Sequence, residues 1–404
     1  MFILPVELIL ALLLGCFAGI FTGLAPGIHT NTVAALVLSF LPVLTEWFSP
    51  LSLGVLLTAM VVMHSFVDFI PSIFLGAPDD SETALSVLPG HKMLLEGKGY
   101  DALKLTVVGG IGASIVGLAI LPLFGFAIVK GYDKLGIAIP ILILIFSAIF
   151  ILMESELRKK IWALLVFMLS GVLGLLALSQ LPLKEPLFPL LTGLFGISTI
   201  IISMLSKNKI AEQKISNKIE FKGHWLNHIK ASISAAIMSV LPALGAAQAT
   251  VLAQALTKKK KSGEDFLIMT GGITAVSSIF VLATLYLIGK ARTGVLATMK
   301  QFLELDFNGF LILLVASLVA LGLAVIVTLQ LGKFVAKRIA KFKYRKLSLI
   351  VLIILIVLVA LFSGPLGLLV ASIGTAIGLI APKVGIKRIH AMGCLVLPII
   401  LYFI

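Results

Sequence analysis

The chain has 404 residues, of which 60% are hydrophobic and only 12% are charged, and its mean hydropathy is +1.17. No soluble protein of this length could bury so much apolar surface, so the composition excludes a soluble globular protein and indicates a polytopic membrane protein. The formal net charge of +14 does not indicate nucleic-acid binding here, because Lys and Arg lie between apolar segments and face anionic lipid. Cys16 and Cys394 lie in apolar stretches and indicate neither a disulfide framework nor a metal site.

Apolar segments recur along both halves of the chain. A transmembrane helix needs roughly 20 apolar residues, and most of these segments approach that length. A Lys-rich stretch separates the halves, so we predict a first repeat at 1–206, a linker at 207–228 and a second repeat at 229–404. The apolar segments lie at 8–24, 29–44, 51–75, 102–129, 135–153, 161–178, 187–205, 229–241, 243–256, 266–288, 310–332, 347–362, 366–380 and 389–404.

Each half begins with a pair of apolar segments that Pro and Gly interrupt. Pro26 and Gly27 break the first pair, and Pro242 and Gly245 break the second. Neither pair provides two comfortable spans, and opened backbone inside a membrane must be satisfied by protein, water or ligand. Each pair is therefore predicted to form a re-entrant helical hairpin, which in transporters marks the binding site.

Clusters of Lys and Arg set the predicted orientation, because cytoplasmic loops carry an excess of both. Placing all clusters in the cytoplasm puts the first hairpin on the outer side, the second on the cytoplasmic side, and both termini outside. The predicted fold class is an all-α polytopic membrane protein of the cell membrane with two inverted-topology repeats, each a re-entrant hairpin followed by about five transmembrane helices. The clusters lie at 158–160, 207–222, 258–261, 333–346 and 383–388.

Polar side chains gather at both predicted hairpin tips. Half-helix N-termini there would direct free N–H groups and a positive dipole end toward the tip, which favours an anionic ligand. The alternative is that Gly and Thr only permit close helix packing, and that His29 is a hydrogen-bonded structural residue. The predicted substrate-binding residues are Gly27, His29, Thr30, Asn31 and Thr32 in the first hairpin and Gly245, Gln248 and Thr250 in the second.

Ionisable groups inside or beside the spans are candidates for coupling or gating. His64 and Asp68 are four residues apart, hence on one helix face, and would carry a proton or cation; the alternative is that Asp68 is solvated at its helix end. The stretch with Asp79, Asp80 and Glu82 predicts a coupling or gating loop, or alternatively a capped cytoplasmic loop. The coupling ion would be Na+ or H+, and no other cofactor and no metal ligand set is predicted.

The corresponding stretch of the second half, 289–294, is basic where the first is acidic. It contains Lys290 and Arg292. In the predicted topology this stretch lies outside, where it would attract an anion. The alternative is an ordinary solvated loop between two spans.

The stretch Gly19-Ile-Phe-Thr-Gly23-Leu-Ala-Pro26-Gly27 resembles the opening of the large membrane subunit of the tripartite tricarboxylate transporters, and residues 74–103 are similar to that family's second Gly-rich motif. The resemblance implies an inverted-repeat architecture whose hairpins hold a carboxylate. It also implies a small membrane subunit and an extracellular binding protein as partners. The chain is shorter than the bacterial subunits, and 77–82 departs from the family's Pro-Gly pattern. Similar Pro-Gly hairpins occur in polyprenyl-phosphate translocases.

Three functions of different classes follow from these patterns. The leading hypothesis is a secondary active permease, a symporter that transports a small organic anion with carboxylate groups and is driven by an ion gradient. The runner-up is a flippase for a polyprenyl phosphate, a lipid-linked anion, which would need a lateral groove open to the bilayer. The third is an enzyme acting on membrane lipids, although the sequence contains no nucleophile–base motif and no Walker A loop. Membrane lipids are expected partners, nucleic acid is not, and a homodimer stays open.

Overall fold

The computed structural model describes residues 3–25, 30–76, 87–183, 186–205, 211–216, 223–240, 249–250, 263–339 and 344–403. These residues are almost entirely helical, and none of them forms a strand. In the first half the helices are α1 Ile3–Leu24, α2 Thr30–Ser39, α3 Leu41–Leu44, α4 Pro50–Val67, α5 Phe69–Phe74, α6 Val87–Leu95, α7 Gly99–Leu152, α8 Leu157–Leu175, α9 Leu187–Leu191 and α10 Ser198–Leu205. In the second half they are α11 Trp225–Met238, α12 Gly263–Ile288, α13 Gly294–Met299, α14 Phe307–Ile339, α15 Tyr344–Val384 and α16 Gly393–Phe403.

Long apolar helices dominate the described part of the chain. Seven of them are long and apolar enough to cross a membrane. Large apolar side chains on their outer faces stay exposed, among them Phe17, Leu123 and Leu361 at 72%, 70% and 73%. Such surface is stable only against lipid tails, so the prediction of an all-α, multi-pass membrane protein is confirmed.

Of two long helices, α7 differs in continuity from the predicted segments and α15 agrees with them. Helix α7 runs through 54 residues, where two segments were predicted on either side of a polar loop. The stretch Lys130–Lys134 has no proline, so nothing removes a backbone donor and the helical hydrogen bonds continue. Helix α15 does contain the predicted break, because Gly364 has φ 63° and kinks the helix just before Pro365.

Helices α1 and α4 lie side by side and run in the same direction. Gly15 lies against Leu56 and Gly23 lies against Val67, so residue numbers rise together along both helices. A Cβ on Gly15 would be 2.2 Å from the Leu56 carbonyl oxygen, which means that the two backbones are almost in contact. Small residues at four-residue spacing permit this approach in membranes, and Gly19 continues the stripe between them.

The chain between α1 and α4 returns to the end where it entered. The Ser49 N–H, at the start of α4, donates to the carboxylate of Glu7, near the start of α1. Helix α1 has 22 residues, about 33 Å, and is long enough to cross a membrane, whereas α2 has only 10 residues. The hairpin therefore has one long arm and one short arm, rather than the two short arms that the sequence predicted.

In the second half, helices α11 and α12 also pack against each other. Helices α11 and α12 are parallel, because Asn227 bonds to Asp265 near their starts and Ala231 contacts Gly272 further along. Helix α12 runs parallel to α7, and helix α4 runs parallel to α14. Helices α7 and α14 are antiparallel. The pair α1 and α4 is therefore antiparallel to the pair α11 and α12. The contacts that set these directions are Gly109 with Ile268, Gly125 with Leu287, Leu51 with Gly309, Gly54 with Leu313, and Leu103 with Gly332.

Part of the linker between the halves is docked onto the first half. Residues 211–216 are extended, and the Gln213 side chain is buried against the turn between α6 and α7. Its Oε1 accepts from the Gly99 N–H at 2.8 Å, and its Nε2 donates to the Leu94 carbonyl at 2.9 Å. One side chain thereby satisfies both the C-terminal end of α6 and the N-terminal end of α7.

A second buried polar cluster joins the end of α7 to the turn Arg388–Met392. His390 Nε2 and Glu154 Oε1 are 2.9 Å apart, and the Lys387 N–H donates to the same oxygen. Burial acts to raise the pKa of the Glu154 carboxyl, but these hydrogen bonds outweigh burial and lower that pKa below its ordinary value. The loop after α7 and the turn Arg388–Met392, which the charge pattern placed on the same side of the membrane, are therefore in contact.

Candidate functional site

The C-terminal end of α1 lies against a polar face of α4. Thr22, two residues before the end of α1, is 1% exposed, and its hydroxyl is 3.0 Å from His64 Nδ1. That hydroxyl also donates to the Gly19 carbonyl at 3.3 Å. Gly23 lies against the backbone nitrogen of Asp68, so the end of α1 is at the level of both ionisable residues.

Asp68 is buried rather than solvated. Its relative exposure is 1%, and His64 one helical turn before it is 6% exposed. The alternative of an aspartate in water at its helix end is therefore wrong. Helix α4 ends and α5 begins at Asp68, because Pro71 has no N–H to bond the carbonyl one turn earlier. An ionisable pair within a membrane-spanning segment is costly and is usually retained for function.

The start of α2 reaches the second half of the protein. A Cβ on Gly294 would be 2.6 Å from Asn31 Oδ1, so the Asn31 amide lies directly on the first residue of α13. Apolar residues continue this contact, since Val37 of α2 belongs to the same buried cluster as Val295 and Met299 of α13. The first hairpin and the basic stretch of the second half therefore form one surface.

Arg292 is held rigidly two residues before this contact. Its Nη2 donates to the Tyr132 hydroxyl at 2.8 Å, and the guanidinium carbon is 5.5 Å from the centre of the Tyr132 ring. Its Nε atom is buried and has no hydrogen-bond partner within the part of the chain that the structure describes. A fixed guanidinium with a spare donor is a group that binds carboxylate well.

The structure describes only some of the predicted substrate-binding residues. Thr30 is 5% exposed at the start of α2, and Thr250 is fully buried at 0%. Thr32 is part of helix α2. The residues that lie outside the described ranges are Gly27, His29, Gly245, Gln248, Asp79, Asp80 and Glu82.

Thr22 and Ser72 are polar residues beside the site that sequence reasoning missed. Ser72 is fully buried, and its hydroxyl has no hydrogen-bond partner among the described residues. Both lie near the ends of apolar helices and carry no motif of their own. The available signal was spacing: Thr22 lies four residues before Pro26, and Ser72 lies four residues after Asp68. No group of three or more His, Cys, Asp or Glu that would hold a metal occurs in the described ranges.

Comparison with known proteins identifies two relatives and a family. An uncharacterized protein of Methanocaldococcus jannaschii is 31% identical over 410 residues, covering 98% of this chain and 99% of the relative. An uncharacterized 52.8 kDa protein of Agrobacterium vitis, described by its place in the TAR-I ttuC' 3' region, is 24% identical over 287 residues, which is 65% of this chain and 55% of that protein. No solved structure matches the chain. The model of the tripartite tricarboxylate transporter TctA family matches residues 9–393, and the protein therefore belongs to this transporter family.

Proposed function

We propose that the protein is a secondary active transporter that moves a small organic anion with carboxylate groups and is driven by an ion gradient. The family is described by tricarboxylate transport, which supports carboxylates as the substrate class. The observation that carries the proposal is the start of α2, where the buried Thr30 of the first half is followed by Asn31, which touches Gly294 of the second half. An anion bound there would contact both halves at once.

The proposed substrate site is the tip of the first hairpin together with the tip of the second. The N-terminal end of α2 directs the positive end of the helix dipole toward the anion. The residues proposed to contact substrate remain Gly27, His29, Thr30, Asn31, Thr32, Gly245, Gln248 and Thr250.

Asp68 and His64 are proposed to carry the coupling ion, Na+ or H+. Their burial beside the chain break supports this role, because occupation of Asp68 by a cation would neutralise a charge next to the site and change its affinity for an anion. Asp79, Asp80 and Glu82 are proposed to gate the site from the segment that follows α5.

We further propose that the halves are inverted-topology repeats at 1–206 and 229–404, with both termini outside the cell. The opposite directions of α1 with α4 and of α11 with α12 support the inverted relation. Rocking one repeat against the other would then expose the tips alternately to the two sides of the membrane. A small membrane subunit and an extracellular binding protein are the proposed partners, and assembly with them or as a homodimer is measurable by co-purification and mass.

Uptake by purified protein in liposomes tests the proposal. Labelled citrate, succinate and acetate would be offered under an imposed Na+ gradient or pH gradient, with and without any binding protein encoded beside this gene. We expect accumulation of at least one carboxylate, abolished when the gradient is collapsed. If no carboxylate accumulates and a labelled polyprenyl phosphate instead crosses the bilayer, the flippase alternative replaces the proposal.

A further inference from the structure

Arg292 belongs to the second half but lies next to the substrate tip of the first. Gly294 contacts the amide of Asn31, and Arg292 precedes it by two residues, a stretch of chain that spans at most about 7 Å. At this backbone separation, an arginine side chain is long enough to reach a ligand held at Asn31. Asn31 and Arg292 reach this place from different halves, so a ligand touching both would bridge them.

The guanidinium is fixed in place, and no carboxylate in the described part of the chain neutralises it. Tyr132 holds it through a 2.8 Å hydrogen bond and through its ring face. None of the described carboxylates lies within ion-pair distance of Arg292, and its buried Nε has no hydrogen-bond partner in the described ranges. Unsatisfied buried donors are costly, so the arrangement is complete only when an acceptor is bound. A carboxylate matches the planar guanidinium in charge and in geometry.

We infer that Arg292 binds one carboxylate of the transported anion while the tip at Asn31 holds another, with Tyr132 as the residue that positions the guanidinium. This inference rests on the proposed function and deepens it, because a ligand held at two such points has two or more carboxylates. A monocarboxylate reaches only one of the two anchors. Arg292 is therefore the residue that selects dicarboxylates and tricarboxylates.

The test compares half-saturating concentrations for uptake in liposomes. Arg292→Gln is expected to raise the value for citrate and succinate by about tenfold or more, since it removes a charge-assisted bidentate contact. Arg292→Lys keeps the charge but lacks the planar guanidinium. Its half-saturating concentration is expected to lie between those of Arg292→Gln and wild type. Tyr132→Phe is expected to raise the value by a smaller factor at unchanged maximal rate, because the guanidinium is present but less well placed.

Arg338→Gln is the matched control. Arg338 also lies over an aromatic ring, with its guanidinium carbon 3.7 Å from the centre of Phe334, but it is exposed at the far end of α14. Its substitution removes the same charge and is expected to leave the half-saturating concentration at the wild-type value.

The outcomes separate this inference from the proposed function. If wild-type protein accumulates none of the carboxylates, the proposed function fails, and the role of Arg292 fails with it. If wild type transports citrate or succinate and Arg292→Gln matches Arg338→Gln, the role of Arg292 is overturned while the function stands. If Arg292→Gln does not fold, Arg292→Lys and Tyr132→Phe provide the test. Half-saturating concentrations equal to wild type in both variants would overturn the inference.

Discussion

The stripe of glycines between α1 and α4 gives the most direct test of the packing at the first hairpin. Substituting Gly15→Ala would place a Cβ 2.2 Å from the Leu56 carbonyl oxygen and 3.0 Å from the Ala59 Cβ. A carbon and a carbonyl oxygen normally lie about 3.3 Å apart at their closest, so the two helices would have to separate by about 1 Å. The obstacle is backbone, which cannot rotate away as a side chain can.

The expected effect is a net loss of stability. Overpacking of a close contact costs about 1–3 kcal/mol, and replacing a helical glycine by alanine returns about 0.5–1 kcal/mol. We therefore expect Gly15→Ala to lower the free energy of unfolding by up to about 2.5 kcal/mol. Thermal unfolding of the purified protein in one fixed detergent would measure the difference.

Gly322→Ala is the matched control for this experiment. Gly322 lies inside α14, and a Cβ there would meet no atom within 4 Å. The same substitution should therefore stabilise the protein by about 0.5–1 kcal/mol through helix propensity alone. If Gly15→Ala is as stable as Gly322→Ala, the close contact between α1 and α4 is refuted.

Three further predictions concern the buried polar groups. Asp68→Asn should abolish gradient-driven accumulation while the protein remains folded, and accumulation equal to wild type would remove Asp68 from coupling. Glu154→Gln should lower the free energy of unfolding at pH 7 by about 1–3 kcal/mol, because it loses charged hydrogen bonds to His390 and to the Lys387 N–H. Because the pKa of Glu154 is lowered in the folded state, its carboxylate stabilises the fold above the ordinary pKa of 4.5, and this stabilisation is lost as pH falls through the folded-state pKa. The difference in unfolding free energy between wild type and Glu154→Gln should therefore be smaller near pH 4 than at pH 7. An equal difference at both pH values would contradict this. Gln213→Ala leaves the Gly99 N–H without its acceptor and removes one of the hydrogen bonds to the Leu94 carbonyl, so limited proteolysis of the linker should be about tenfold faster, and an unchanged rate would show that Gln213 does not anchor it.

Hydropathy predicted much of the helical framework. The α12 segment and the break at Gly364 agree closely with the structure, because long apolar runs and a Gly-Pro pair act locally. Continuity of α7 through its polar stretch could not be read from hydropathy. That signal reports where lipid contacts a helix and says nothing about whether backbone hydrogen bonds continue between two apolar runs.

The site was predictable only in part. Helix spacing placed His64 and Asp68 on one face, but the burial of Asp68 depends on α1, which lies more than forty residues earlier in sequence. The pairing of Arg292 with Tyr132 joins residues 160 positions apart and leaves no local pattern. Glu154 with His390 is a similar case, at a separation of 236. Such contacts are fixed by tertiary packing, so propensity and spacing do not reveal them.

Ligand protection of an engineered cysteine tests the central claim, that an anion binds where the first hairpin meets the second half. Both native cysteines, Cys16 and Cys394, are buried, so labelling by a polar thiol reagent should report the introduced residue. Thr293→Cys places an exposed thiol between Arg292 and Gly294, and Glu46→Cys places one at the far end of the hairpin. The account predicts that a transported carboxylate slows labelling of Thr293→Cys and leaves labelling of Glu46→Cys unchanged. Equal labelling of Thr293→Cys with and without saturating substrate would contradict it.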